Sequence, residues 1–280
     1  MLELWYNLLD LLPFEIFHWT FMKHALLAGI LLAPLFGLMS TMIITGKMSF
    51  FSDALGHSAF TGIAIGCICG IAAPTWVAIL FSIIFALLFS FVRSRSNNTA
   101  DTLIGVFSST AVALGIFIAT LSGSSFTKYN RYLIGDILSV TPTQISVLVL
   151  VLLTVFAIWV LFSNHMILVS IHPQLSSSRG IKIWHVQALF TVMIAVVVTL
   201  AISWVGLLIL NSLLVLPGAS ARNISKNLRQ YHCISIIFAL FSGIGGLCIS
   251  YHFGASAGAT ISLLLALCFA FSFCFRKVGN

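Results

Sequence analysis

Residues 50–66 read FFSDALGHSAFTGIAIG and place Asp53 and His57 four positions apart at the head of an apolar run. Side chains four residues apart lie on one face of a helix, so these two are expected to project together. The pattern predicts a helix capped by Ser52, with Asp53 in the first turn, where the helix dipole favours a carboxylate. Ionisable groups inside an apolar segment are costly, and by default they mark the path of an ion or a proton.

The rest of the chain carries very little charge. Of its 280 residues, 60% are hydrophobic and 7% are charged, and the mean hydropathy is +1.14. Soluble domains carry about 25% charged residues, so lipid rather than water must cover this surface. The composition predicts an all-α, polytopic integral membrane protein. The net charge of +7 gives no reason to expect a nucleic-acid partner, because basic residues in membrane proteins mostly report the sidedness of loops.

Hydropathy predicts eight or nine transmembrane helices, since about 20 apolar residues cross a bilayer. The nine segments are 24–44, 54–71, 76–92, 102–121, 142–162, 184–203, 205–221, 233–250 and 255–275. The seventh is the weakest because it is short and ends near Pro217. Residues 132–140 are too short to span and are predicted to form a re-entrant or interfacial piece. Residues 1–20 are predicted to lie at the membrane interface.

Basic residues orient the chain. If the C-terminus is cytoplasmic, the inside segments hold ten of the thirteen Lys and Arg residues: Lys47, Arg93, Arg95, Arg179, Lys182, Arg222, Lys226, Arg229, Arg276 and Lys277. The other three, Lys23, Lys128 and Arg131, then lie outside. The positive-inside rule therefore predicts a cytoplasmic C-terminus. Nine spans would leave the N-terminus outside and eight would leave it inside, and the sequence leaves both open.

The Asp–His pair is a mixed ligand set. A carboxylate with an imidazole suits Zn²⁺, Mn²⁺ or Fe²⁺ better than Ca²⁺ or Mg²⁺. Two ligands are too few for a metal site, but a two-fold homodimer that brings both pairs to its axis would supply four. The alternative is that Asp53 only caps its helix while His57 bonds to a backbone carbonyl.

Three other residues have weaker signals. Asp136, within residues 132–140, is a second candidate for the ion path, although anchoring a turn is the simpler role. His252, predicted to lie near the outer mouth, is a candidate entry ligand. Asp101 precedes the fourth span and is expected to cap that helix together with Thr102.

Four segments in order carry a resemblance to a known family. They are KMSFFSDALGHSAFTGIAIG at 47–66, ADTLIGVFSSTAVALG at 100–115, YLIGDILSVTP at 132–142 and VGLLILNSLLVLPGASARN at 205–223. This set resembles the permease subunit of the ABC importers for zinc, manganese and iron, and it looks closest to the zinc-import permease. The resemblance runs from about residue 25 to the C-terminus.

The resemblance implies a type II ABC importer permease-like fold, with residues 1–280 forming one transmembrane permease domain. It implies a homodimer in the bacterial cytoplasmic (inner) membrane, a separate ATP-binding cassette ATPase subunit and an extracytoplasmic metal-binding protein. Asp53 and His57 would coordinate the transported Zn²⁺, Mn²⁺ or Fe²⁺, and no permanently bound cofactor is expected.

The resemblance also implies a coupling helix for the ATPase within the cytoplasmic loop 163–185. Its residues are His172, Pro173, Gln174, Leu175, Ser176, Arg179 and Gly180. Two features depart from the family pattern. Gln174 and Ser176 stand where relatives commonly have an acidic residue and alanine, and YHFGASAG at 251–258 lacks the usual Asp and Pro.

The chain is not expected to be an enzyme. It has no GxxxxGK[ST] phosphate-binding loop, since TGKM at 45–48 has Met48 where Ser or Thr is needed. ATP hydrolysis would therefore belong to a partner. The alternative function is a self-sufficient secondary metal or proton carrier. Such carriers often show two related halves, and the sequence contains no second copy of DALGHS.

Overall fold

The structure is a computed structural model that describes Tyr6 and residues 19–71, 73–96, 98–121 and 135–275. The described residues form ten α-helices and no strand. The helices are α1 (Thr20–Thr45), α2 (Phe51–Ile68), α3 (Pro74–Arg95), α4 (Ala100–Leu121), α5 (Pro142–Ile171), α6 (Pro173–Ser178), α7 (Ile183–Val205), α8 (Leu207–Ile224), α9 (Leu228–Phe253) and α10 (Ala257–Cys274). A 3-10 turn, Ile137–Ser139, precedes α5.

Eight of these helices are long and apolar enough to cross a membrane, namely all except α2 and α6. The prediction of an all-α polytopic membrane protein is therefore confirmed. The predicted span 54–71 corresponds to α2, an 18-residue helix that is not among the eight. Most of the predicted N-terminal segment 1–20 lies outside the described residues, as do Lys128, Arg131, Arg276 and Lys277.

The loop predicted to be cytoplasmic, residues 163–185, is shorter than expected. Helix α5 continues to Ile171, so residues 163–171 are helical, and α7 begins at Ile183. Helix α5 ends at Ile171 because of the proline at position 173. A proline has no N–H to continue the helical hydrogen bonds, and it disfavours helical backbone at the residue before it. The segment between α5 and α7 is thus residues 172–182, with the six-residue helix α6 at its centre.

Two of the predicted helix caps are wrong. Helix α2 begins at Phe51 with Phe50 at the N-cap, so Ser52 lies inside the first turn and makes no capping bond. Helix α4 begins at Ala100, which places Asp101 in its first turn, and Thr99 Oγ1 instead accepts the backbone N–H of Thr102 at 3.4 Å. In both cases the helix starts earlier than the polar residue suggests.

The chain divides into two compact units. One unit comprises the described parts of Met1–Thr41, Asp136–Ala157 and Ser212–Asn280, and the other those of Met42–Gly135 and Ile158–Asn211. In the first unit α9 packs on α10, and a Cβ at Gly246 would lie 2.7 Å from the Ile261 Cα. Small residues at such contacts let helix backbones approach closely.

In the second unit α2 is enclosed by α3, α4 and α7. Two glycines make the contacts close. A Cβ at Gly62 would lie 2.5 Å from the Ala78 Cα on α3, and a Cβ at Gly115 on α4 would lie 2.7 Å from Thr61 Oγ1. The Thr61 hydroxyl also lies within bonding distance of the Ala111 carbonyl oxygen on α4, at 2.7 Å. Helix α2 is therefore held in place by protein on several sides.

Candidate metal site

Helix α2 leaves only two side chains accessible over its first 14 positions. From Phe51 to Ala64 every residue is buried except Asp53 and His57. Their side chains are 42% and 31% exposed, respectively. A hydrophobic segment that buries its alanines, glycines and serines but exposes its two ionisable groups has a defined polar stripe. The prediction that Asp53 and His57 share one face of a helix is confirmed.

The two side chains face each other. The His57 Nε2 and the Asp53 Oδ2 are 3.5 Å apart. Asp53 lies in the first turn of α2, where the dipole stabilises a carboxylate, while Ser52 Oγ is buried without a hydrogen-bond partner among the described residues. The pair therefore owes its position to helix register and to the packing of α2, not to a side-chain cap.

Asn211 joins this pair and was not predicted from the sequence. Its Nδ2 donates to the Asp53 Oδ1 at 3.3 Å. The signal in the sequence was one amide in the apolar run LLILNSLLVL, but its partner lies 158 residues earlier in the chain. Spacing rules address neighbours along one helix, so they carry no information about a contact of this range.

A glycine allows α8 to approach α2 at this point. Gly206 separates α7 from α8 with φ of 84° and ψ of 156°, a backbone conformation open only to glycine. The next residue, Leu207, packs so closely on Gly56 that a Cβ there would lie 2.5 Å from the Leu207 Cδ1. Asn211 is one turn further along α8, and Asp53 is almost one turn back along α2, so the two polar side chains meet.

The two weaker candidates lie in the first compact unit, whereas Asp53, His57 and Asn211 lie in the second. Asp136 belongs to the first unit, where its Oδ1 accepts the backbone N–H of Leu138 at 3.0 Å and caps the 3-10 turn. This agrees with the simpler role expected for it, anchoring a turn. His252 belongs to that unit as well and is exposed in the last turn of α9. Within the described ranges no three His, Cys, Asp or Glu residues come close enough to hold a metal ion.

The predicted coupling segment forms a compact, exposed helix. His172 is the N-cap residue of α6, Arg179 is its C-cap, and Gly180 follows with φ of 75°. Ser176 is buried, and its hydroxyl donates to the His172 carbonyl oxygen at 3.1 Å. Gln174, Leu175 and Arg179 are exposed. The helix thus offers a short surface that includes one large apolar side chain.

Within the described residues, eight apolar helices and an accessible carboxylate–imidazole pair on α2 are features expected of a membrane transport subunit. The chain belongs to the ABC 3 transport family, whose model matches residues 18–276. The resemblance predicted from the four ordered segments is therefore confirmed.

This chain is similar to known proteins and to a solved structure along almost their whole length. The high-affinity zinc uptake system membrane protein ZnuB of Buchnera aphidicola subsp. Acyrthosiphon pisum is 31% identical over 85% of this chain and 90% of its own. The manganese import system permease protein ScaB of Streptococcus gordonii is 29% identical over 90% of each. The solved structure of PsaBC from Streptococcus pneumoniae in complex with Fab superposes with a TM-score of 0.77, at 26% identity, over 98% of this chain and 95% of that one.

Proposed function

We propose that this protein is the permease subunit of an ABC importer that carries a divalent first-row metal ion, zinc first and otherwise manganese or iron, into the cytosol. Asp53 and His57 are the side chains that hold the ion within the membrane domain. The observation that carries the proposal is the polar stripe of α2, which leaves these two groups accessible on an otherwise buried stretch. The chain belongs to a transport family, and this accessible carboxylate–imidazole pair is a suitable binding site for a transported metal ion.

The separation of the two donor atoms suits one metal ion. Zinc bonds to imidazole nitrogen and carboxylate oxygen are about 2.1 Å long, so two ligands of one tetrahedral ion are about 3.4 Å apart. The His57 Nε2 and Asp53 Oδ2 are 3.5 Å apart. One chain supplies two donors, and a homodimer with the two stripes facing its axis supplies four. A site with so few ligands from each chain binds the metal ion weakly enough to release it, which transport requires.

Two observations favour zinc over manganese as the transported ion. The donor separation fits a tetrahedral ion, and a relative at 31% identity is named as a zinc uptake protein. Manganese stays second because another relative, at 29% identity, is named as a manganese permease. Affinity alone rarely separates these ions in cells, so the protein that delivers the metal contributes to the choice.

The partners follow from the energetics of import. A separate ATP-binding cassette subunit docks on α6, where Leu175 is 45% exposed, and an extracytoplasmic metal-binding protein loads the outer side. The permease lies in the bacterial cytoplasmic (inner) membrane with its C-terminus in the cytosol, as the distribution of basic residues favours. ATP binding and hydrolysis on the partner then drive the dimer between outward-open and inward-open states.

Metal uptake by cells that depend on this importer tests the site. Asp53→Asn and His57→Gln keep the size of each side chain but remove a metal-binding charge or nitrogen lone pair. Each is expected to reduce zinc uptake by at least about 10-fold, because even residues that only support metal ligands typically cost about 10–100-fold when they are changed. Asp101→Asn and His165→Gln, both exposed positions, are the matched controls. Unchanged uptake in the first two variants at normal protein levels removes Asp53 and His57 from the site.

A second experiment separates this proposal from the secondary carrier. The purified permease is reconstituted in vesicles with zinc outside. One sample has a proton gradient alone; the other has the ATPase subunit and ATP inside the vesicles and the metal-binding protein outside. An importer subunit accumulates zinc only in the second case. Accumulation driven by the proton gradient without an ATPase would favour the carrier.

A further inference from the structure

The two oxygen atoms of the Asp53 carboxylate have different neighbours. Oδ2 faces the His57 Nε2 at 3.5 Å, whereas Oδ1 accepts the Asn211 Nδ2–H at 3.3 Å. Asn211 comes from α8, so the amide reaches the carboxylate from a different helix than the histidine does. One oxygen is therefore directed towards the partner ligand, and the other is occupied by a hydrogen-bond donor.

The orientation of the Asn211 amide is determined by this contact. Its Oδ1 is inaccessible to solvent and has no hydrogen-bond partner among the described residues. Turning the amide over would place that oxygen against the carboxylate oxygen of Asp53, so the NH₂ group must face Asp53. A buried acceptor without a partner is unfavourable. The side chain nevertheless adopts this position, which makes the bond to Asp53 its principal polar interaction.

The contact decides how many oxygens Asp53 can offer to a cation. An oxygen that already accepts an amide N–H is a poorer metal ligand, so the carboxylate then binds metal mainly through its other oxygen. Two protomers then provide two oxygens and two imidazole nitrogens, a four-donor set that suits tetrahedral zinc. A carboxylate free at both oxygens can bind through both, and two protomers then provide up to six donors rich in oxygen. Manganese prefers such octahedral, oxygen-rich surroundings.

We propose that Asn211 is a positioning residue that sets the metal selectivity of this site by restricting Asp53 to one coordinating oxygen, and so favours zinc over manganese. The inference rests on the proposed function, in which Asp53 and His57 hold the transported ion. It assigns Asn211 no direct contact with the metal.

The test compares zinc and manganese in two variants that remove the donor. Asn211→Leu replaces the amide with an apolar side chain of similar shape, and Asn211→Ala removes the amide without adding volume or a new metal ligand. Both are assayed as the full-length permease with its ATPase, for uptake of each metal and for competition between zinc and manganese ions on the purified protein. The ratio of zinc to manganese uptake is expected to fall about 10-fold, the lower end of the effect of residues that support metal ligands. The loss should appear in the KM for zinc, with the maximal rate little changed.

The control is another asparagine of the same helix. The Asn223 Nδ2 donates to the Ser272 Oγ at 3.1 Å, so Asn223→Leu also removes a partly buried amide hydrogen bond from α8. It should leave the ratio of the two metals unchanged. A ratio that is unaltered in both Asn211 variants, or that changes equally in Asn223→Leu, overturns the inference. If Asn211→Leu does not accumulate, Asn211→Ala, which adds no volume and no metal ligand, decides the question.

Failure of the proposed function would look different. If Asp53→Asn transports both metals normally, the site itself is elsewhere. If Asp53→Asn abolishes uptake while the Asn211 variants keep the zinc preference, the site stands and only the selectivity role of Asn211 is lost.

Discussion

Replacing Gly62 with alanine tests how closely α2 must lie against α3. The new Cβ would be 2.5 Å from the Ala78 Cα, which is a backbone atom and cannot rotate away. Carbon atoms in contact are normally about 3.5–4.0 Å apart, so the two helices must separate by about 1–1.5 Å. Forcing extra volume into a close-packed contact costs about 1–3 kcal/mol. Asp53 and His57 belong to α2 and move with it, so both stability and transport should fall.

The assay combines thermal unfolding of the purified permease with zinc uptake at matched protein levels. Gly62→Ala should lower the unfolding temperature by several degrees and reduce uptake. The control is Gly105→Ala on α4, where a Cβ would meet nothing within 4 Å. Alanine is favoured over glycine in a helix by about 0.5–1 kcal/mol, so this variant should be as stable as the original protein or more so. If Gly62→Ala matches Gly105→Ala in both measurements, the close contact between α2 and α3 has no mechanical role.

Three further predictions concern other contacts. Thr61→Val removes the hydroxyl that lies 2.7 Å from the Ala111 carbonyl oxygen and should reduce the free energy of unfolding by about 1 kcal/mol, measured by chemical or thermal denaturation. Leu175→Glu places a charge on the exposed face of α6 and should abolish ATP-driven uptake while zinc binding to the purified permease is retained; loss of binding would argue against a docking role. Asp136→Ala should destabilise the protein by about 1 kcal/mol, because the hydrogen bond from the Leu138 N–H is lost. Asp136→Asn should transport zinc normally. A transport defect in Asp136→Asn would indicate that Asp136 takes part in the ion path after all.

The membrane helices were readable from hydropathy, but their ends were not. Long apolar runs leave few alternatives to a helix in lipid, because every backbone polar group must be satisfied internally. The C-terminal end of α5 was predicted near residue 162 and lies at Ile171. Residues 163–171, SNHMILVSI, contain polar groups but no proline or glycine, so nothing in them stops a helix that is already growing.

The site was predictable only in its local part. Asp53 and His57 are four residues apart, and helical periodicity alone brings them together. The contact with Asn211 depends on the break at Gly206 and on the missing side chain at Gly56, and both matter only once α8 lies against α2. Helix starts were also beyond the local pattern, since α2 begins at Phe51 without a side-chain cap and Ser52 lies inside its first turn.

Helix α2 raises a question of biogenesis. It carries the Asp–His pair and is not among the eight helices apolar enough to cross a membrane unaided. Asp53 in the first turn adds a polar penalty to the insertion of this segment from the translocon. Its neighbours α3 and α4 come later in the chain. The segment should therefore enter the bilayer only after they have been synthesised, later than its place in the chain alone would give.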